Sequence, residues 1–351
     1  MINTLIVDDS AMVRDVLRDF LEAEGSFKII GEAVDGEDGV QKILSLNPDL
    51  VTLDIEMPKM NGLEVIEEVM KKTNVPIVVI TSHDTAKTAY EATVRGALEF
   101  FPKDVFLKNL SPEKKQNIYD TFKRISGVKT QKSSVIDLGE FCPELVALKI
   151  PEKRKIEAVV IASSTGGPKA LSRFFSLLPG NFPLPIVIVQ HNSSGFDKCF
   201  AQWLDTFTTL NVRVAEEGDI PQAGTVYIAQ TDKHLELRRL DETAAESSLI
   251  LRYNDDEPEQ NQKPAADVLF KTAAETLKES LISVVFTGMG SDGGQGTRKV
   301  KEMGGITLAQ DEKSSLIYGM PKAAAETGCV DIVLPLDKIA EELVRLVRET
   351  S

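Results

Sequence analysis

Cysteine is scarce in this sequence. The three present among 351 residues, Cys142, Cys199 and Cys329, are far apart, with no CxxC pair, which excludes a disulfide framework and a zinc or redox site of that type. Positive charge is in deficit, 40 Lys and Arg against 54 Asp and Glu for a formal net charge of −14, so a nucleic-acid or anionic-membrane surface is not expected. The basic residues between Lys108 and Lys132 read as a solvated helix and linker. No apolar run is long enough to span a bilayer, so no membrane insertion is expected. No charged leader precedes the strand-like Thr4-Leu5-Ile6-Val7, and the expectation is a cytoplasmic protein with reduced thiols. Histidine is as scarce as cysteine, with three in the chain, which narrows any search for a general base.

What is present is a repeated alternation of short β-rich runs and amphipathic helical patterns. Leu5–Val7, Lys28–Gly31, Leu50–Leu53, Ile77–Ile80 and Glu99–Phe101 read as strands. Val13, Val16, Leu17, Phe20 and Leu21 form one helical stripe, and Ser111-Pro112-Glu113 reads as the start of the last helix of this half, with Ile118, Phe122 and Ile125 buried and an end at Gly127. A second series follows: Ala158–Ile161, Ile186–Val189, Thr225–Ile228 and Leu281–Phe286, with a hairpin between Val226 and Leu251 around the polar 241–248. The pattern predicts an α/β fold with two doubly wound parallel-sheet domains, over 1–126 and 157–349, joined by a linker at 127–156 where periodicity is lost.

In such sheets, ligands bind beyond the carboxyl ends of the strands. Asp8 and Asp9 follow the first strand, Asp54 the third, Thr81 the fourth and Lys103 the fifth. Three carboxylates on one rim repel one another unless a hard divalent cation sits among them, and Mg²⁺ suits oxygen ligands. Asp54 can then attack a phosphoryl donor while the cation and Lys103 neutralise charge. Val7-Asp8-Asp9-Ser10, Leu53-Asp54-Ile55-Glu56-Met57-Pro58, Asn61-Gly62, Thr81 and Lys103 resemble the signature of bacterial two-component receiver domains, which are flavodoxin-like. The resemblance implies phosphorylation at Asp54, Mg²⁺ held with help from Asp9 and the Glu56 carbonyl, and a switch pair of Thr81 and Phe100. Asp104 departs from it, standing where a proline usually follows the lysine.

In the second series Ser164 comes directly after a strand and is followed by Thr165-Gly166-Gly167-Pro168 and a helix. Small residues permit the sharp turn, and the helix N-terminus offers N–H groups to a developing oxyanion. The turn is a relative of the G-x-S-x-G elbow, although alone it equally suits a phosphate cradle. A serine nucleophile needs a base. His83 lies in the first domain, His191 follows a strand, and His234 sits in the hairpin, as an exposed or packed residue or else at the cleft. Asp292 follows Thr287-Gly288-Met289-Gly290-Ser291 and reads as either a helix cap or the acid that orients the base; Met289 or Gly290 can supply an oxyanion N–H.

Ser163-Ser164-Thr165-Gly166-Gly167, Gln190-His191, Asp267-Val268-Leu269-Phe270, Thr287-Gly288-Met289-Gly290-Ser291-Asp292-Gly293 and Tyr318-Gly319-Met320-Pro321, behind a receiver, resemble the chemotaxis response-regulator protein-glutamate methylesterases, whose catalytic domain is Rossmann-like. That resemblance implies a triad of Ser164, His191 and Asp292, Met289 in the oxyanion hole, and no cofactor in the catalytic domain. It also implies methylated chemoreceptors as substrates, in some members receptor glutamines too, and a chemotaxis histidine kinase as phosphodonor. Activation would follow if the unphosphorylated receiver covers the cleft. Near the cleft Asn192-Ser193-Ser194, Gln230-Thr231-Asp232 and Lys263-Pro264-Ala265-Ala266 depart from the family pattern. The competing readings are a non-enzymatic response regulator with a partner- or nucleotide-binding output domain, and a serine peptidase.

Overall fold

The structure, a computed structural model, describes residues 1–82, 86–108, 110–128, 155–241 and 247–349. The chain divides into two compact units, Met1–Leu145 and Val146–Ser351. Most of the expected linker, and His83, lie outside the described residues.

In the first unit the five expected strands form: β1 (Ile2–Val7), β2 (Phe27–Ala33), β3 (Leu50–Leu53), β4 (Ile77–Thr81) and β5 (Glu99–Pro102). They make one parallel sheet in the order β2-β1-β3-β4-β5, the flavodoxin-like order, with the switch point between β1 and β3. Val13, Leu17 and Leu21 carry the buried stripe of the first helix, Ala11–Ala23, whose N-cap Ser10 accepts from the Val13 N–H. The last helix, Pro112–Ser126, starts where expected: Ser111 accepts from the Lys114 N–H, Pro112 opens the first turn, and Ile118, Phe122 and Ile125 are buried. A short helix that the sequence reading omitted, Lys103–Leu107, begins at the strand end itself. Asp104 sits in its first turn, where a carboxylate complements the helix dipole, and pairs with Lys108. An aspartate is therefore accommodated where a proline usually stands.

The second unit holds a seven-stranded parallel sheet. Its strands are β6 (Ala158–Ser163), β7 (Ile186–Gln190), β8 (Asn211–Val214), β9 (Thr225–Ile228), β12 (Leu281–Val285), β13 (Ile306–Gln310) and β14 (Ile332–Leu334), ordered β14-β13-β12-β6-β7-β9-β8. The expected hairpin forms separately from β10 (His234–Arg239) and β11 (Leu249–Asn254). Its Leu235, Leu237 and Leu251 enter the core beside Leu269, Phe270 and Ala273 of the helix Ala266–Leu277. Three strands escaped the sequence reading. β8 and β14 are short edge strands, and β13 is fully buried yet carries Thr307 and Gln310. Those polar side chains are tolerated because they are bonded: the Thr307 hydroxyl donates to the Cys329 carbonyl at 2.7 Å, and Gln310 Oε1 accepts from the Thr287 N–H at 2.8 Å.

From β6 the chain adds strands on one side through β7 and β9, then returns to add β12, β13 and β14 on the other. The switch point thus opens between β6 and β12, which places Ser164 and the Thr287–Asp292 loop at neighbouring strand ends. No described helix is long and apolar enough to cross a membrane.

Candidate active site

In the first unit Asp8, Asp9 and Asp54 bring carboxylate oxygens within 4.8 Å of one another, with Asp8 and Asp54 buried and Asp9 exposed. Lys103 reaches across the rim, 2.7 Å from Asp54 Oδ2 and 2.9 Å from Asp8 Oδ2. Burial pushes the Asp54 carboxyl up to about 6, against the pull of the Lys103 ammonium and with the charge of Asp8 adding to the rise. Asp8 is raised by the same burial. Among the described residues Asp8 Oδ2 has only the Lys103 ammonium beside it, at 2.9 Å and shared with Asp54, so one lysine serves two buried carboxylates. A hard cation satisfies such oxygens, so the donor set fits Mg²⁺. The Glu56 side chain is exposed and outside the carboxylate cluster; the resemblance assigns a role to its carbonyl, not its carboxylate. Thr81 is buried at the end of β4, and Phe100 is buried edge-on against Tyr90 with ring centroids 4.9 Å apart.

In the second unit the turn after β6 is shaped by two glycines. Gly166 takes a left-handed φ of +78°, and any Cβ there would also meet Leu316 at 2.7 Å. Gly288 lies against the Ser164 turn: a Cβ on it would fall 2.9 Å from Ser164 Cβ and 2.2 Å from Met320 Sδ. The Ser164 N–H donates to the Thr287 carbonyl at 3.1 Å, so the serine turn and the Thr287–Gly290 loop are joined backbone to backbone, with Met289 two residues beyond the contact. Thr287 also donates from its hydroxyl to the Thr165 carbonyl at 3.0 Å and accepts from the Ile317 N–H at 3.0 Å. In the sequence Thr287 stands in the loop motif without a role of its own, and Gln310 reads as an isolated polar residue.

His191 and Asp292 do meet, Nε2 to Oδ2 at 2.8 Å. An ionised carboxylate only accepts, so the proton of the neutral imidazole sits on Nε2 and the lone pair on Nδ1. Nδ1 is buried and has no hydrogen-bond partner among the described residues. Asp292 accepts further from the Ala266 N–H at 2.6 Å on Oδ2, and from the Asp267 and Gly293 N–H groups at 2.8 and 2.9 Å on Oδ1. Burial alone would raise its carboxyl; His191 and the N–H groups of Ala266 and Asp267 overcome that and hold it below the ordinary value. Asp292 is thus not the cap of the helix that follows it. It binds the open N-terminus of a different helix, Ala266–Leu277, where dipole and N–H groups favour an anion.

His234 is packed, 1% exposed: Nδ1 accepts from the Ala265 N–H and Nε2 faces the Glu257 carbonyl, both at 3.1 Å. It supports the segment that binds Asp292 and is not itself a second base. The departures near the cleft are bonded to each other and to their surroundings. The Ser194 hydroxyl donates to Asp232 at 2.6 Å, Thr231 donates twice to Asp197 at 2.9 Å, and the Lys263 carbonyl accepts from the Asp232 N–H at 3.1 Å.

Residues 159–343 match the family model described as CheB methylesterase, and residues 4–112 match that of the response regulator receiver domain. A protein-glutamate methylesterase/protein-glutamine glutaminase of Pyrococcus abyssi is 38% identical over 356 residues, covering 99% of this chain and 94% of that protein. One of the same name from Thermotoga maritima is 37% identical, covering 99% of each. The crystal structure of the Thermotoga maritima CheB methylesterase catalytic domain matches at 42% identity with a TM-score of 0.52, covering 55% of this chain and all of that one. With a receiver ahead of a hydrolase domain, and relatives aligned over almost its whole length, the chain belongs to the CheB methylesterase family.

Proposed function

We propose that this chain hydrolyses γ-glutamyl methyl esters on methylated chemoreceptors in the cytoplasm, with Ser164 as nucleophile, His191 as base and Asp292 as the ion that orients it. The observation that carries this reading is the His191–Asp292 pair, since it leaves the unprotonated Nδ1 as the only atom of the ring able to take the Ser164 proton. Ser164 Oγ attacks the ester carbonyl as its proton passes to Nδ1; the tetrahedral intermediate collapses with methanol leaving on that proton. Water then attacks the acyl-enzyme, His191 again accepting a proton and returning it to Ser164. Met289 contributes an N–H to the oxyanion hole, held close to the serine because Gly288 packs on Ser164. Asp292 stays ionised throughout, in keeping with its depressed acidity. Glutamine deamidation uses the same acyl-enzyme, with ammonia in place of methanol as the group that leaves.

The receiver spans 1–126 and the esterase 157–349, with 127–156 as linker. In the receiver Asp54 accepts the phosphoryl group from a histidine kinase, and Asp8, Asp9 and Asp54 with the Glu56 carbonyl hold Mg²⁺, which when bound neutralises charge on the transferring group. Lys103 supplies the second cation. Thr81 and Phe100 report the phosphorylated state, which releases the esterase. A binding-only output domain has no use for a base oriented by an ionised buried acid, which favours the enzyme.

The test is methanol release from methylated receptor by the full chain. Ser164→Ala is expected to lower turnover by on the order of 10⁴ to 10⁶. Methanol release by that variant near the wild-type rate would overturn the assignment, and ammonia release in the same assay reports deamidation.

A further inference from the structure

Gln190 ends β7, immediately before His191, and is 2% exposed. A primary amide offers one acceptor oxygen and two N–H donors, and here all are used. Its Oε1 accepts from the Ser163 hydroxyl at 2.7 Å, while Nε2 donates to the Ser164 carbonyl at 3.0 Å and the His191 carbonyl at 2.9 Å. The amide lies so close under the turn that a Cβ on Gly167 would fall 2.0 Å from Oε1. Sheet pairing alone reaches only as far as the Ser163–Gln190 register and the His191 N–H to Ser163 carbonyl bond at 3.0 Å. Beyond that point the hydrogen bonds between the two loops among the described residues are those of the Gln190 side chain.

We infer that Gln190 is a positioning residue of the ester hydrolysis, its amide fixing the Ser164 backbone against that of His191 so that the hydroxyl meets Nδ1. The inference rests on the proposed roles of Ser164 and His191. Two features separate this role from that of a merely satisfied core amide. Both carbonyls it holds belong to the reacting residues themselves. The sheet hydrogen bonds that hold β6 to β7 do not depend on it.

Gln190→Met keeps the length of the side chain and removes all three hydrogen bonds. A small misplacement of reacting groups is worth up to about 100-fold in rate, so kcat is expected to fall by about 10- to 100-fold with KM within about twofold. The rate at which a small sulfonyl fluoride modifies Ser164, measured per folded protein by titration and melting curve, is expected to fall in parallel, because that reagent needs the serine–histidine geometry but not the receptor. Ser163→Ala, which frees only Oε1, is expected to lower the same two rates by about three- to tenfold through looser placement. Folded Gln190→Met with a wild-type sulfonyl fluoride rate, or with the whole change in KM, overturns the inference. If Gln190→Met does not fold, a wild-type rate in Ser163→Ala overturns it instead. Ser164→Ala run alongside distinguishes the two levels: its retaining activity defeats the triad, whereas a dead Ser164→Ala beside an unimpaired Gln190→Met defeats only the role of Gln190.

Discussion

Two carboxylates in this chain are buried to similar purpose and shifted in opposite directions. Asp292 has several donors and is held ionised; Asp54 has one lysine shared with Asp8 and a single backbone donor, and is raised to about 6. For Asp54 the folded value lies above the ordinary 3.8, so the folded state binds its proton more readily than the unfolded chain does. Its contribution to stability is therefore fully present below about 3.8 and lost as pH rises through about 6. Above that the site carries excess negative charge, which a divalent cation relieves and which binding converts into stability. Thermal unfolding of the receiver in the full chain should thus shift upward with Mg²⁺ at pH 7.5, and less at pH 5 where Asp54 is protonated. Asp9→Asn should remove most of the shift, since Asp9 is the exposed carboxylate of the cluster and its loss leaves the buried pair and Lys103 in place. An equal Mg²⁺ effect in wild type and Asp9→Asn, read by scanning calorimetry, would remove Asp9 from the ligand set.

At the scale of elements the esterase site is made of termini. The end of β6 gives Ser164, the end of β7 Gln190 and His191, the loop after β12 Met289 and Asp292, and the start of the helix Ala266–Leu277 the N–H groups that bind Asp292. Loops from different strands can sit this close only where side chains are absent, as at Gly167 and Gly288. Gly288→Ala would drive a methyl group into Ser164 and Met320. Overpacking of that kind typically costs about 1–3 kcal/mol. The displaced serine should lose about 100-fold in kcat by misplacement alone. Denaturant unfolding and methanol release together check it: full activity in a destabilised Gly288→Ala would mean that the loop, and not the serine, gives way.

For the whole molecule, the receiver and esterase units are joined in one chain whose relatives from Pyrococcus abyssi and Thermotoga maritima carry both across nearly the same length. On the proposed reading a phosphoryl group on Asp54 would change the pairing of Lys103 and the charge at the end of β3, and control of the esterase would require a difference of only a few kcal/mol between the two phosphorylation states. A small-molecule phosphodonor with Mg²⁺ should accordingly raise methanol release by the wild-type chain, and Asp54→Asn should show its basal rate with no response. Stimulation of Asp54→Asn equal to that of wild type would place the accepting residue elsewhere.

The alternation of apolar runs and helical stripes was enough, by itself, to determine the α/β class, the two units, and the positions of Asp8, Asp54, Lys103, Ser164 and His191, because in a parallel α/β chain a polar residue directly after a buried strand stands at the ligand-binding edge. The same logic overlooked β8, β13 and β14, whose signals were too short or diluted by Thr307 and Gln310. Only the tertiary structure decided what those edge residues bond to. That Asp292 binds the start of a distant helix, that His191 bonds Asp292 through Nε2, that His234 is a buried prop and that Gln190 spans Ser164 and His191 all depend on which loops meet when β12 and β7 flank β6. Burial patterns are local and periodic and so are written along the chain, whereas the partners of buried polar groups come from far-separated segments and exist only once the strands are ordered.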